Sequence, residues 1–236
     1  MQSHIVPTMP DPTASFGVVF DLDGVLIDSH DQHERSWCLL AEEIGRELTP
    51  EQFNASFGMR NEQCIPEVFG WTGVEDRAAI ASWGARKEEI YRELLAKDGL
   101  EPLPGVLDLV RALGERGVPF SLGSSTSRKN IEVCFASTGL DRCFGPRYTG
   151  AEDVSRGKPA PDVFLEAARQ IDRAPQRCVV VEDAHVGIEA ALAAGMKAVA
   201  VTTTHPAASF AGSGADLVVP SLEALDPEQL RRLVLG

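Results

Sequence analysis

Residues 16–28 read Phe16-Gly-Val-Val-Phe-Asp21-Leu-Asp23-Gly24-Val-Leu-Ile-Asp28. The apolar run Val18, Val19 and Phe20 reads as a buried strand that ends in Asp21. A strand's period of two puts Asp21 and Asp23 on the same side, and Gly24 frees the chain to turn sharply. Two carboxylates at one strand end repel each other unless a cation or a shared proton relieves them. Two readings stay open at this point: a surface turn of solvated acids, and an active centre. An EF-hand calcium loop fits poorly, because Val25 stands where an oxygen ligand belongs and no run of alternate oxygen donors follows.

At 236 residues the chain can bury a sizeable core and suits one large domain or a core with a smaller companion. The formal net charge of -13 argues against nucleic acid as a partner, because a phosphate backbone is gripped by clustered Lys and Arg that are absent here. Anionic membrane surfaces are disfavoured for the same reason. A small anionic substrate would need local positive charge or a metal inside this acidic field. The five cysteines, Cys38, Cys64, Cys134, Cys143 and Cys178, are odd in number and scattered, which suits free buried thiols in a reducing compartment rather than a disulfide framework or zinc site. Residues 1–15 have neither a basic n-region nor an apolar core, and no later run is long enough to span a membrane. A cytoplasmic protein with a flexible tail over residues 1–15 is expected.

Beyond Asp28 the pattern becomes helical. Trp37, Leu40, Ala41 and Ile44 recur at i, i+3, i+4 and i+7, with His33 one turn earlier on the same stripe. Thr49-Pro50-Glu51-Gln52 reads as a helix start with a capping box and a first-turn proline. Helical signals continue around Cys64 to Phe69 and from about Arg77 to Leu95, and no strand interrupts residues 30–99. From Gly105 onward helices and strands alternate. Val118 to Leu122 ends in Gly123-Ser124-Ser125, Cys178 to Val181 ends in Glu182-Asp183, and Ala198 to Val201 and Leu217 to Val219 supply two further strands. Such alternation implies a doubly wound parallel sheet, an α/β fold that places ligands outside the carboxyl ends of its strands.

Taken singly, Ser124-Ser125 reads as a helix cap, Lys158 as a loop lysine and Glu182-Asp183 as an acidic helix start. Together with Asp21 and Asp23 they supply what phosphoryl transfer needs: a carboxylate nucleophile, acids for a cation, donors for phosphate oxygens and a lysine. The chain resembles the haloacid dehalogenase superfamily of phosphotransferases over roughly residues 16–220. The resemblance rests on Asp21-Leu-Asp-Gly-Val, Ser124 after the second core strand, Gly157-Lys158-Pro-Ala-Pro-Asp162, and Val181-Glu-Asp-Ala-His-Val-Gly-Ile188. Within the superfamily it is most similar to the β-phosphoglucomutases and the small sugar-phosphate and phosphoglycolate phosphatases.

That resemblance implies a Rossmann-like core of residues 16–29 and 100–236, with an α-helical cap of residues 30–99 inserted after the first strand. It implies that Asp21 attacks phosphorus to form an aspartyl-phosphate, and that Asp23 protonates the leaving oxygen and then activates water. Mg²⁺ would be held by Asp21, the Asp23 carbonyl and Asp183, with Glu182 acting through water. Ser124 with neighbouring groups, Ser125 and Gly24 among them, would hold phosphoryl oxygens, and Lys158 would balance charge. The cap would choose the substrate, a small phosphorylated metabolite, with His33, Trp37, Arg60, Asn61, Arg86 and Lys87 as candidates. For Trp37 a core role competes, for His33 the two readings balance, and for Arg60 a second phosphate or carboxylate competes with a solvated arginine.

A Mg²⁺-dependent phosphatase is the leading expectation. A β-phosphoglucomutase-like mutase is the rival, suggested by His33 and Trp37, although the segment from Ser124 to Lys129-Asn130 is two residues longer than in that family. A phosphate-binding relative without catalysis is the third reading. A monomer is expected, with a dimer as the alternative.

Overall fold

A computed structural model describes residues 16–236, so the tail expected over residues 1–15 lies outside the described residues. The described residues open with β1 (Gly17–Phe20), then run through α1 (His30–Ile44), α2 (Pro50–Ser56), the short α3 (Asn61–Gln63), which continues into a π-helical turn over Cys64–Val68, and the long α4 (Arg77–Asp98). The chain continues as α5 (Val106–Glu115), β2 (Phe120–Gly123), α6 (Arg128–Thr138), α7 (Asp141–Phe144), β3 (Tyr148–Thr149), α8 (Asp162–Gln170), β4 (Cys178–Glu182), α9 (His185–Ala193), β5 (Lys197–Val201), β6 (Leu217–Val219) and α10 (Pro227–Leu235).

The six strands form one sheet in the order β3-β2-β1-β4-β5-β6, with every pair parallel. Alternation along the strands builds a core on each face. Val18, Phe20, Val179, Val181, Val199 and Val201 face α5, α6, α7 and α10, whereas Val19, Cys178, Val180, Ala198 and Ala200 face α8 and α9. Each fully buried valine contributes ~1.5–3 kcal/mol relative to exposure. The strand order reverses at β1 and β4, so the crevice beyond their carboxyl ends is where such a sheet accepts ligands.

The stretch from α1 to α4 carries a core of its own, including Trp37, Leu40, Phe53, Ile65, Phe69, Trp71, Ile80 and Ile90. This is the inserted helical cap. The expected capping box is present: Gln52 N–H donates to Thr49 Oγ1 at 3.2 Å and Thr49 N–H to Gln52 Oε1 at 3.0 Å. Trp37 is buried in this cap core and also lines the cavity facing the sheet. The two crossings between cap and sheet run side by side, joined by a bridge between Ile27 and Pro102 and by Leu103 N–H donating to the Leu26 carbonyl at 3.0 Å. All five cysteines are free; Cys64, Cys134 and Cys178 are buried, but Cys38 is exposed on α1, contrary to the expectation of buried thiols throughout.

Candidate active site

Three strands deliver the polar residues to one edge. Asp21 follows β1 directly, its N–H bonded to the Val181 carbonyl at 3.0 Å, which ties it to the end of β4. Glu182 closes β4 with Asp183 next to it, and Ser124 follows β2 with its N–H on the Thr149 carbonyl at 3.0 Å. Lys158 comes from the loop before α8 and is fully buried. Its ammonium donates to Asp21 Oδ1 at 2.7 Å and to Glu182 Oε1 at 2.9 Å, and it lies 4.8 Å from the centre of the Phe164 ring.

Oxygens of Asp21, Glu182 and Asp183 lie within 4.8 Å of one another. Three buried carboxylates thus cluster beside one buried lysine. Burial pushes the Asp21 carboxyl up to about 8, Glu182 adds to the rise, and Lys158 opposes it. Burial, then the charges of Glu182 and Asp21, also raise Asp183 well above the usual carboxylate range. Burial disfavours a charged Lys158, but Asp21 and Glu182 outweigh it and hold the group as an ammonium.

The donor set fits a hard divalent cation. Asp183 Oδ1 is buried without a hydrogen-bond partner among the described residues, while its Oδ2 accepts from Thr204 Oγ1. A buried, unpartnered carboxylate oxygen beside two more acids is what an oxygen-seeking ion such as Mg²⁺ would satisfy. Glu182 is occupied otherwise: Oε1 by Lys158, and Oε2 by the N–H groups of Asp183 at 2.7 Å and Ala184 at 3.4 Å. Gly24 sits at φ +75°, and a Cβ there would collide with the Asp183 carboxylate; its carbonyl accepts from Thr203 Oγ1. Only glycine permits both that backbone conformation and that approach.

Asp23 is turned toward the cap. Its Oδ1 accepts from Ser29 Oγ at 2.5 Å, His33 Nε2 at 3.2 Å and Tyr91 OH at 3.4 Å. Lys87 Nζ lies 2.8 Å from His33 Nδ1. An ammonium only donates, so Nδ1 accepts and Nε2 carries the proton that points at Asp23. His33 also stacks on Tyr91, with ring centres 4.1 Å apart. Burial raises the Asp23 carboxyl, but its interactions with His33, the hydrogen bond from Ser29 and the charge of Lys87 together hold it below the usual range.

The remaining candidates separate. Ser124, Ser125, His33, Arg60, Asn61 and Lys87 line one cavity of about 370 Å³ with Asp21, Asp23 and Lys158. Ser125 Oγ is buried without a partner among the described residues. The Arg60 guanidinium reaches across to the core and donates from one nitrogen to the carbonyls of Ala151 at 2.7 Å and Val154 at 3.0 Å. Arg86 lies on the outer side of α4, paired with Glu43 and Glu89.

Sequence reading missed Tyr91, Glu88, Thr203 and Thr204. The threonines follow β5 at the same sheet edge, a signal that was available. Ile80, Gly84, Lys87 and Tyr91 fall on one buried helical stripe, where a lysine is the odd residue.

A family model described as haloacid dehalogenase-like hydrolase matches residues 17–195. The chain is 36% identical over 220 residues to the chloroplastic 5-amino-6-(5-phospho-D-ribitylamino)uracil phosphatase of Arabidopsis thaliana, covering 92% of this chain and 57% of that protein. It is 36% identical over 210 residues to hexitol phosphatase A of Escherichia coli, covering 89% of this chain and 92% of that one. A solved HAD hydrolase of family IA, variant 3, from Entamoeba histolytica superposes with a TM-score of 0.85 at 25% identity, covering 94% of this chain and 100% of that one. With four motifs on one sheet edge, a matching family model and relatives aligned along most of its length, the chain belongs to the haloacid dehalogenase-like hydrolases.

Proposed function

We propose that this protein is a Mg²⁺-dependent phosphatase that hydrolyses a small phosphorylated metabolite of the sugar-phosphate or phosphoglycolate type through an aspartyl-phosphate on Asp21. The observation that carries the reading is Asp21 itself: a buried carboxylate at the end of β1, one oxygen held by Lys158, on a cavity that cap residues line from the other side.

In the first half of the reaction Asp21 attacks phosphorus, the bond to the leaving oxygen breaks, and Asp23 delivers a proton to that oxygen. In the second half Asp23 takes a proton from water as the water oxygen attacks phosphorus, the bond to Asp21 breaks, and phosphate leaves. The Asp23 carboxylate, stabilised by Ser29, His33 and Tyr91, suits the base role. The tautomer set by Lys87 keeps His33 Nε2–H donating a hydrogen bond that orients Asp23, and for the acid role Asp23 carries the proton it took from water in the preceding turnover. Ser124 and Ser125 bind phosphoryl oxygens, and Lys158 offsets charge on Asp21 and the transferring group. Mg²⁺, held by Asp21, Asp183 and the Asp23 carbonyl with Glu182 in support, would supply the positive charge that lets these acids ionise together beside a phosphate.

The test is incubation of purified protein and Mg²⁺ with sugar 1- and 6-phosphates, hexitol phosphates and phosphoglycolate, with and without glucose 1,6-bisphosphate. Phosphate release that disappears in Asp21→Asn is expected. Bisphosphate-dependent isomerisation without net phosphate release would make the protein a mutase instead. Undiminished release by Asp21→Asn would overturn the covalent route.

A further inference from the structure

Helix α4 of the cap packs against α6 of the core, and the two helices meet at a polar point as well as at Tyr91 and Cys134. That point is Asn130, on the first turn of α6 and fully buried. Two residues of α4 reach its carboxamide. Arg92 donates to Asn130 Oδ1 at 2.8 Å, and Asn130 Nδ2 donates to Glu88 Oε2. Residues four apart lie on the same face of a helix, so Glu88 and Arg92 grip the carboxamide by its two ends. Neither Asn130 nor Arg92 is among the residues lining the cavity.

The orientation of the carboxamide follows from these partners. A guanidinium only donates and a carboxylate only accepts, so the oxygen faces Arg92 and the nitrogen faces Glu88. Glu88 is ionised: burial raises its carboxyl, but interactions with Lys87 and His33 and the hydrogen bonds from Asn61 and Asn130 hold it below the usual range. The second N–H of the same nitrogen is thereby turned to the loop after β2, where it donates to Thr126 Oγ1 at 2.9 Å. Thr126 N–H donates in turn to Ser124 Oγ at 3.2 Å. Each hydroxyl oxygen on this line accepts a hydrogen bond, so its own proton is available to a ligand, and both residues line the cavity.

We propose that Asn130 is a positioning residue that ties the phosphate-binding loop to the seated cap: the grip of Glu88 and Arg92 on its carboxamide holds Thr126 and Ser124 in the orientation that receives phosphoryl oxygens. The inference rests on the phosphate-binding role given to Ser124 and goes beyond it. Arg92 touches neither the cavity nor the loop, yet it becomes part of what a bound phosphate senses. The line from Arg92 through Asn130 and Thr126 to Ser124 is unbroken in hydrogen bonds, and a double-mutant cycle measures whether energy passes along it.

Calorimetric titration of inorganic phosphate into the protein in Mg²⁺ buffer reads the loop without turnover. Arg92→Met is expected to weaken phosphate binding by ~5-fold and Asn130→Leu by ~10-fold, within the usual range of coupling between linked sites. Loss of a distant positive charge would also weaken an anion, and the cycle separates the two causes. In the Asn130→Leu background, Arg92→Met is expected to change Kd by less than ~2-fold, because the relay is already cut, whereas a field effect would persist there. Thr126→Val cuts the relay at its other end and supplies the same cycle if Asn130→Leu does not fold. Wild-type phosphate affinity in Arg92→Met would overturn the inference, and so would effects that multiply in the double variant. If the wild type binds phosphate but hydrolyses no monoester, the phosphatase reading falls and the cycle decides this inference separately. A wild type that binds no phosphate in Mg²⁺ would overturn both.

Discussion

Replacing Asp21 by asparagine should stabilise the metal-free protein, and more so as the pH rises. Asp21 shares a buried cluster with Glu182, Asp183 and Lys158. Burial, reinforced by Glu182, lifts its carboxyl from the ordinary 3.8 to about 8, with Lys158 pulling the other way. The folded protein therefore keeps a proton on Asp21 that the unfolded chain has released, so stability is lost as pH rises between those two values. One such proton gives a slope of at most ~1.4 kcal/mol per pH unit. Asp183, raised by the same burial and by Glu182 and Asp21, competes for that proton, so the slope that belongs to Asp21 falls below this limit. Asp21→Asn keeps the shape and removes the titration. Between about pH 5 and about pH 7.5 its advantage should widen by ~2 kcal/mol, or ~4–8 °C in Tm for a chain of this length. Thermal melts of both proteins in chelator, repeated with Mg²⁺ in excess, give the answer. Mg²⁺ favours the ionised acids, so it should raise the wild-type Tm most at the alkaline end and close the gap. Parallel melting curves across the range, or a gap that Mg²⁺ leaves untouched, would refute this account of the cluster.

Lys158→Met leaves three buried carboxylates without their cation, which should cost ~3–5 kcal/mol of stability and lower kcat by ~10²–10³-fold, read from denaturant melts and steady-state rates. Gly24→Ala puts a Cβ against the Asp183 carboxylate at a positive φ. It should cost ~1–2 kcal/mol for the backbone alone and weaken Mg²⁺ activation, seen as a right-shifted Mg²⁺ titration. Lys87→Met removes the donor that fixes the His33 tautomer and part of the field holding Asp23 below the usual range. The limb of the pH–rate profile that belongs to Asp23 should move to higher pH, and an unmoved limb would exclude this coupling.

The sheet was legible because parallel strands buried on both faces leave continuous apolar runs, and here those runs end in Asp21, Ser124 and Glu182-Asp183. The two-residue β3 was not, since Tyr148-Thr149 is too short to carry a period and pairs only because β2 lies beside it. Asp21, Lys158 and Asp183 could be named from their order along the chain. The ion pair between them could not, because it depends on residues as far as 137 positions apart, as for Lys158 and Asp21. In the cap, the apolar spacing identified the right helix stripe at Trp37 and His33 but left Arg60 between a substrate role and solvent. The guanidinium is not solvated: it lines the cavity and is held by carbonyls 91 and 94 positions away, which no local pattern connects to it. Glu88 carried no signal at all: an acid on a long charged helix reads as solvated until Asn61 and Asn130 are brought against it.

The central claim is that the phosphoryl group rests on Asp21. Rapid acid quenching during turnover of a hexitol phosphate, followed by borohydride reduction and peptide mass mapping, tests it directly. The account predicts a transient phosphoryl adduct whose reduction converts Asp21 to homoserine, formed within one turnover and absent from Asp21→Asn. Phosphate release with no label at Asp21 at any quench time, or with the label on another residue, would contradict it.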